Sequence, residues 1–318
     1  MKLIVPQTAV ADIEPTIRTI APDLSIVHIA EDGSADGDIA DADAILRWMM
    51  SKVLDTTIDQ APRLRWVHTM SAGVDGFRLG DLARRKITLT NSAGAHAIAI
   101  SEFVLSTMLG RVKRLRELAS FTPGDAWQRR RSLDMGELYG QTVLILGLGS
   151  IGREIAKRAH AFGMRVIGSR RRPVPMPNID VVVGDHQWRD LLPQADFVVV
   201  ATPLTAATRG MVDADAFGRM KPGAYLINIA RGQIVDSDAL IDALRTRRLS
   251  GASLDTLPVE PLPADHPLWS APNIWITPHI SWMSPRTQER SLSYFYENLR
   301  RFVAGEDLIN VVDIQQGY

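Results

Sequence analysis

The sequence contains no cysteine, which excludes disulfides, a thiol nucleophile and a thiolate metal site. It has no net charge either, 36 Lys and Arg being matched by 36 Asp and Glu. The whole molecule therefore lacks the electrostatic footprint expected of a nucleic-acid or membrane-surface binder. Long hydrophobic runs are missing as well. No apolar stretch approaches the roughly 20 residues that a membrane-spanning helix needs. The run after Met1 and Lys2 stops at Val5, before Pro6, too soon for a secretory signal core. These absences predict a cytoplasmic protein with neither nucleic acid nor a membrane as partner. A length of 318 residues leaves room for two domains of roughly 100–200 residues, each with its own core.

Short apolar runs alternate with longer helical patterns from end to end, which predicts an α/β fold with largely parallel sheets. In the first part the strand candidates are 2–5, 25–29, 43–46, 65–70 and 87–90, with a helical pattern over 9–20. A mostly apolar stretch from Ala95 to about Ser120 reads as one long helix leaving the first domain, either a buried core helix or a connector that also feeds a dimer interface. A second series follows, with strands at 142–146, 165–168, 181–183, 196–201, 224–229, 252–255 and 274–277. These runs are apolar throughout, as strands covered on both faces are. The last helical pattern, 288–302, is expected to return to the first domain. The predicted division is a discontinuous domain of 1–94 plus 288–318 around a domain of 95–287.

The run 143–146 leads straight into Gly147-Leu148-Gly149-Ser150-Ile151-Gly152 and then a helical pattern. This is a strand–GxGxxG–helix unit. Gly147 suits the tight turn, Gly149 lets a pyrophosphate approach the backbone, and Gly152 lets helix pack on strand. The helix N-terminus, with Ser150 and Ile151, offers N–H groups to phosphate. About 20 residues on, where an NAD site normally carries Asp or Glu, this chain has Ser169-Arg170-Arg171-Arg172. A hydroxyl and three guanidiniums suit a 2′-phosphate, so NADP(H) is favoured over NAD(H); the alternative is a solvated basic turn.

Three charged or titratable residues follow apolar strands of the second series: Arg231 after the run ending in Ala230, Asp255 after 251–254, and His279 after 274–278. Ligands of open α/β sheets bind beyond the carboxyl ends of the strands. Glu260 lies on a proline-rich loop within reach of His279. Singly, each has an ordinary structural explanation as a capping, paired or solvated residue; together on a cofactor sheet they indicate a catalytic set.

With these segments, and with 202–205, Thr208-Arg209-Gly210, 228–232, Leu254-Asp255, Glu260-Pro261 and Thr277-Pro278-His279, the chain resembles the D-isomer-specific 2-hydroxyacid dehydrogenases over nearly its whole length, in particular glyoxylate/hydroxypyruvate reductase-like members of NADP type. The resemblance implies two Rossmann-like domains with parallel sheets, a cofactor domain inserted in a discontinuous, flavodoxin-like substrate domain, and a homodimer. It makes His279 the proton donor, Glu260 its partner and Arg231 the anchor for the carboxylate and carbonyl of a small 2-keto or 2-hydroxy acid. It places Asp255 near the nicotinamide carboxamide and adds Thr202, Pro203, Thr208 and Ala230 to the cofactor contacts. Residues 71–75 look like the family's carboxylate loop, with Ala72, Gly73 and Val74 as substrate-binding amides, and successive N–H groups there can form an anion nest; an ordinary glycine turn is the alternative.

The roles are chemically coherent. Reduction of a ketone builds negative charge on oxygen, which an imidazolium can protonate and a neighbouring carboxylate favours in its charged form. A guanidinium matches a carboxylate bidentately. No metal is required. The loop between Asp255 and Glu260 departs from the family's usual aromatic and acidic pair. Trp282, and Trp48 with Met49 and Met50, are expected either to wall a pocket or to serve domain packing. Two rival readings share the fold: a cofactor-sensing, catalytically weak interaction protein of the corepressor type, and an enzyme that uses bound NAD internally. The absence of long polar tails speaks against the first.

Overall fold

The computed structural model describes residues 1–48 and 53–318. The chain divides into two compact units, Met1–His96 with Ser284–Tyr318, and Ala97–Met283.

The first unit contains β1 (Lys2–Pro6), α1 (Val10–Ile20), β2 (Ser25–Ile29), β3 (Ala44–Arg47), α2 (Val53–Gln60), β4 (Trp66–Thr69), α3 (Leu79–Arg84) and β5 (Thr88–Asn91). All pairings are parallel, in the order β2-β1-β3-β4-β5. This is the flavodoxin-like order. Side chains alternate across the sheet because the strand period is two. Leu3, Val5, Leu46 and Trp66 face one helical layer with Ile13 and Ile17, whereas Ile4, Ile45, Val67 and Leu89 face the other with Ile58, Leu64 and Leu82. Both faces are covered, so the strands read as apolar without a break.

The second unit contains α4 (Ala97–Val112), α5 (Leu115–Ala119), α6 (Ala126–Arg129), β6 (Thr142–Leu146), α7 (Ser150–Ala161), β7 (Arg165–Ser169), β8 (Val181–Val183), β9 (Phe197–Val200), α8 (Ala214–Arg219), β10 (Tyr225–Asn228), α9 (Ser237–Arg245), β11 (Gly251–Leu254) and β12 (Ile274–Ile276). Its parallel sheet runs β12-β11-β10-β9-β6-β7-β8. Counted from β6 this is the doubly wound dinucleotide order, and the chain reverses direction of growth between β6 and β9. The architecture is thus α/β with two Rossmann-type parallel sheets.

Two elements differ from the sequence expectation. The stretch from Ala95 to Ser120 is not one helix: α4 stops at Val112, whose carbonyl accepts the Gly136 N–H at 2.9 Å, and Arg114 turns left-handed at φ 50°. The helical ladder is lost because its acceptor is taken by a distant donor. The final helix, α10 (Pro285–Ala304), is longer than the predicted 288–302. Ser284 caps its N-terminus, Pro285 occupies the first turn, and Gly305 closes it at φ 72°, the usual start and stop chemistry. Phe295 and Leu299 of α10 join the α1 side of the first unit, and the Phe295 ring stacks on Trp66 at 6.0 Å.

Candidate active site

In the second unit the glycine-rich turn links β6 to α7 at the reversal point of the sheet. Gly147 sits at φ 102°, and a Cβ there would lie 2.7 Å from Ala201 O and 2.8 Å from Thr202 Cα. No side chain fits between the turn and the end of β9. A Cβ on Gly152 would run into the Gly147 carbonyl oxygen. Gly149 is different: nothing lies within 4 Å of the position its Cβ would take, so the room its missing side chain leaves faces outward. The α7 N-terminus has no side-chain cap and no acidic residue in its first turn. Ser169 O accepts the Gly147 and Leu148 N–H groups at 3.1 Å each and pins the turn to the end of β7. An open glycine position at an uncapped helix N-terminus fits the pyrophosphate of a dinucleotide.

Ser169 is buried, Arg170 half-buried, and Arg171 and Arg172 are exposed. Arg170 N–H donates to Val183 O at 3.0 Å and its Nη1 to Met176 Sδ at 3.2 Å, a thioether partner that leaves the guanidinium charge uncompensated by that contact. Thr202 and Pro203 lie just past β9. Thr208 closes the same loop, donating from its hydroxyl to Pro203 O at 2.6 Å and accepting the Thr205 N–H at 2.8 Å.

The ends of β10 and β11 carry the charged residues. Asn228 is fully buried; its Oδ1 accepts the Ala230 N–H at 3.1 Å and its Nδ2 donates to Arg231 O at 2.9 Å. The carboxamide brackets the turn that presents Arg231, whose Nη1 donates to Ala230 O at 2.7 Å. A Cβ on Gly232 would run into the Leu257–Pro258 peptide, and Gln233 Nε2 donates to Pro258 O at 2.8 Å. The Arg231 turn therefore packs on the loop bearing Glu260. That carboxylate divides its oxygens: Oε1 accepts the Leu257 N–H at 2.9 Å and Oε2 contacts His279 Nδ1 at 2.8 Å.

His279 adopts φ 56°, an uncommon value for a non-glycine residue. Asp255, 1% exposed, organises the turn. Its carbonyl accepts the His279 N–H at 2.9 Å. Its carboxylate accepts the Thr277 hydroxyl at 2.6 Å and the Ile280 and Ser281 N–H groups at 3.0 Å each. Asp255 thus lies beneath the His279 turn, with its carboxylate engaged there. Trp282 donates from Nε1 to His279 O at 2.9 Å and packs on the cluster containing Leu148 and Ile155, so it braces the same turn.

In the first unit, residues 71–74 follow β4. Ser71 O accepts the Ser92 N–H at 3.1 Å, Ala72 O the Asn91 Nδ2 at 2.7 Å, and Gly73 O the Ser71 hydroxyl at 3.0 Å. In a planar trans peptide the next residue's N–H points opposite to the carbonyl, so the N–H groups of Ala72, Gly73 and Val74 are directed away from these partners. Trp48 packs against the cluster that includes Trp66 and Phe295; Met49 and Met50 lie outside the described residues. His68 is buried beside this loop, with Nδ1 2.8 Å from Thr90 Oγ1. Burial pushes its ring down to about 3 and that of His96 to about 4.

Asn228, Gly232 and Asn91 were not singled out from sequence as site residues. The available signal was an Asn at the last position of a buried strand, in both β10 and β5. Among the described residues no group of three or more His, Asp or Glu could hold a metal ion, and no helix is long and apolar enough to cross a membrane.

Residues 105–281 match the model of the D-isomer specific 2-hydroxyacid dehydrogenase, NAD binding domain. A glyoxylate reductase of Thermococcus gammatolerans is 34% identical over 274 residues, covering 84% of this chain and 82% of the relative. A D-isomer specific 2-hydroxyacid dehydrogenase family protein from Aeromonas salmonicida superposes with TM-score 0.84 at 32% identity, covering 98% of this chain and 99% of that one. A D-isomer specific 2-hydroxyacid dehydrogenase from Xanthobacter autotrophicus Py2, solved in complex with NADPH and MES, has TM-score 0.82 at 29% identity, with 99% of each chain covered.

Proposed function

This chain belongs to the D-isomer-specific 2-hydroxyacid dehydrogenase family, and on that premise we propose that it reduces a small 2-keto acid to the D-2-hydroxy acid with NADPH, His279 donating the proton. It is an NAD(P)-dependent oxidoreductase of this type. Glyoxylate, hydroxypyruvate and substituted pyruvates are the proposed substrate class, supported by the glyoxylate reductase relative.

The observation that carries the reading is the 2.8 Å contact between Glu260 Oε2 and His279 Nδ1. A carboxylate on Nδ1 fixes the orientation of the ring and leaves Nε2–H as the donor to the substrate oxygen. The proton moves from Nε2 to that oxygen, and the neutral ring keeps its Nδ1–H on Glu260. Arg231, whose Nη1 donates to Ala230 O, polarises the carbonyl and binds carboxylate through its guanidinium. The amides of Ala72, Gly73 and Val74 receive the carboxylate. Gly147, Gly149, Ser150, Ile151 and Gly152 hold the pyrophosphate, with Thr202, Pro203, Thr208 and Ala230 alongside. Ser169, Arg170 and Arg171 take the 2′-phosphate. When bound, the reduced dinucleotide supplies the hydride. Asp255 acts through His279 by holding its turn.

The test is a panel of 2-keto acids assayed with each reduced cofactor. Turnover that is faster with NADPH than with NADH supports the reading. No turnover with either cofactor, or full activity in His279→Ala, overturns it.

A further inference from the structure

Asn91 ends β5 and is 6% exposed. A buried carboxamide needs partners at both ends. Here Nδ2 donates to Ala72 O at 2.7 Å and Oδ1 accepts the Ala93 N–H at 3.1 Å. The partners fix which end is which, because an N–H can bond only the oxygen and a carbonyl only the amino group. The main chain is anchored too: Asn91 N–H donates to Asn310 O at 3.1 Å, and Asn310 Nδ2 donates to Ala93 O at 3.0 Å. Asn310 itself turns left-handed at φ 52°, a conformation that Asn tolerates better than most residues. The C-terminal segment of the first unit thus braces the residue that grips Ala72.

The consequence falls on Gly73. Drawing Ala72 O toward Asn91 sends the Gly73 N–H the opposite way. The neighbouring peptides are held by other means, Ser71 O by the Ser92 main chain and Gly73 O by the nearby Ser71 hydroxyl. Of these three restraints, Asn91 is the one supplied by a side chain from another strand end, 19 positions away. We propose that Asn91 is a positioning residue for anion capture: it aims the Gly73 N–H at the substrate carboxylate without touching substrate. The proposal rests on the reductase reading for the identity of the anion, while the peptide orientation stands without it.

Two variants separate the donor from the whole side chain. Asn91→Asp keeps an acceptor for Ala93 and loses the donor to Ala72; Asn91→Ala loses both. In each, KM for the best 2-keto acid should rise about tenfold, the scale of one lost hydrogen bond, while kcat stays within about threefold. The NADPH Kd, read from tryptophan fluorescence, should stay at the wild-type value. Oxalate titrated into cofactor-free wild-type protein should move the Gly73 amide resonance, and more oxalate should be needed in the variants. Unchanged KM in both variants overturns the proposal. So does a Gly73 resonance indifferent to saturating oxalate, or a joint loss of kcat, KM, NADPH affinity and Tm, which marks mere packing. If Asn91→Ala does not fold, Asn91→Asp and the wild-type titration decide. If wild type reduces no 2-keto acid while oxalate still moves Gly73, the reductase reading fails and the positioning role survives.

Discussion

Glu260 reaches His279 Nδ1 with one oxygen at 2.8 Å while its other oxygen holds the Leu257 N–H at 2.9 Å. The ring, the loop and, through Gly232, the Arg231 turn are therefore one connected piece of the second unit. A ring held this way, if it donates the proton as proposed, is oriented before substrate arrives, which lowers the reorganisation needed during reaction.

His279→Ala should lower kcat by about 10²–10⁴, the usual contribution of a positioned acid. Glu260→Gln keeps a hydrogen-bonding end but replaces the carboxylate's charge-assisted contact with a neutral one, and should cost about tenfold or more. NADPH affinity, measured by fluorescence titration, should be unaltered in both. Equal loss of cofactor binding and turnover would assign the pair a structural role instead.

The glycines should separate folding from binding. Nothing occupies the space beside Gly149, so Gly149→Ala is expected to fold with near wild-type Tm yet bind NADPH at least about tenfold more weakly, because a methyl group blocks phosphate approach. Gly152→Ala meets the Gly147 carbonyl and should lower Tm. Calorimetry and cofactor titration on the two proteins make the check; wild-type affinity in Gly149→Ala would move the phosphate site elsewhere.

Arg170 and Arg171 follow β7 directly, where the ribose is expected. Replacing both by Ala should raise KM for NADPH by about tenfold to hundredfold while leaving NADH nearly unchanged, since charge-assisted contacts to phosphate are the strong ones. Kinetics with both cofactors decide it. Equal effects would make the basic turn ordinary solvated surface.

Acid should weaken the first unit before its carboxylates protonate. The rings of His68 and His96 are pushed down to about 3 and about 4 in the folded chain, mainly by burial, against an ordinary value of 6.5. Below 6.5 the unfolded chain takes up protons that the folded chain refuses. Stability is therefore full above that value and falls as pH drops toward 4, by about 1.4 kcal/mol per pH unit for each ring. Urea unfolding at a series of pH values should show this slope, and His68→Gln should make it shallower. An identical slope in that variant would remove His68 from the account.

The strand, glycine turn and helix at β6 and α7 were legible along the chain. The glycine spacing at 147–152 and the apolar run before it are local patterns, so the turn and its helix could be read without coordinates. The caps of α10 are equally local, but they lie outside the helical pattern of 288–302, at Ser284, Pro285 and Gly305. The break after Val112 had no such signal. It depends on Gly136, 24 positions further on, taking the carbonyl that would continue the helix.

Which residue types stand at the strand ends followed from the sequence alone, because strand period, glycine spacing and charge are properties of short windows. The folded chain decided their partners: Glu260 on His279, Asn228 around the Arg231 turn, Asn91 on Ala72, and Asp255 turned under His279 rather than left open. Those contacts are set by which strands lie side by side and how the loops between them double back, a matter of sheet order and close packing that no window of sequence contains.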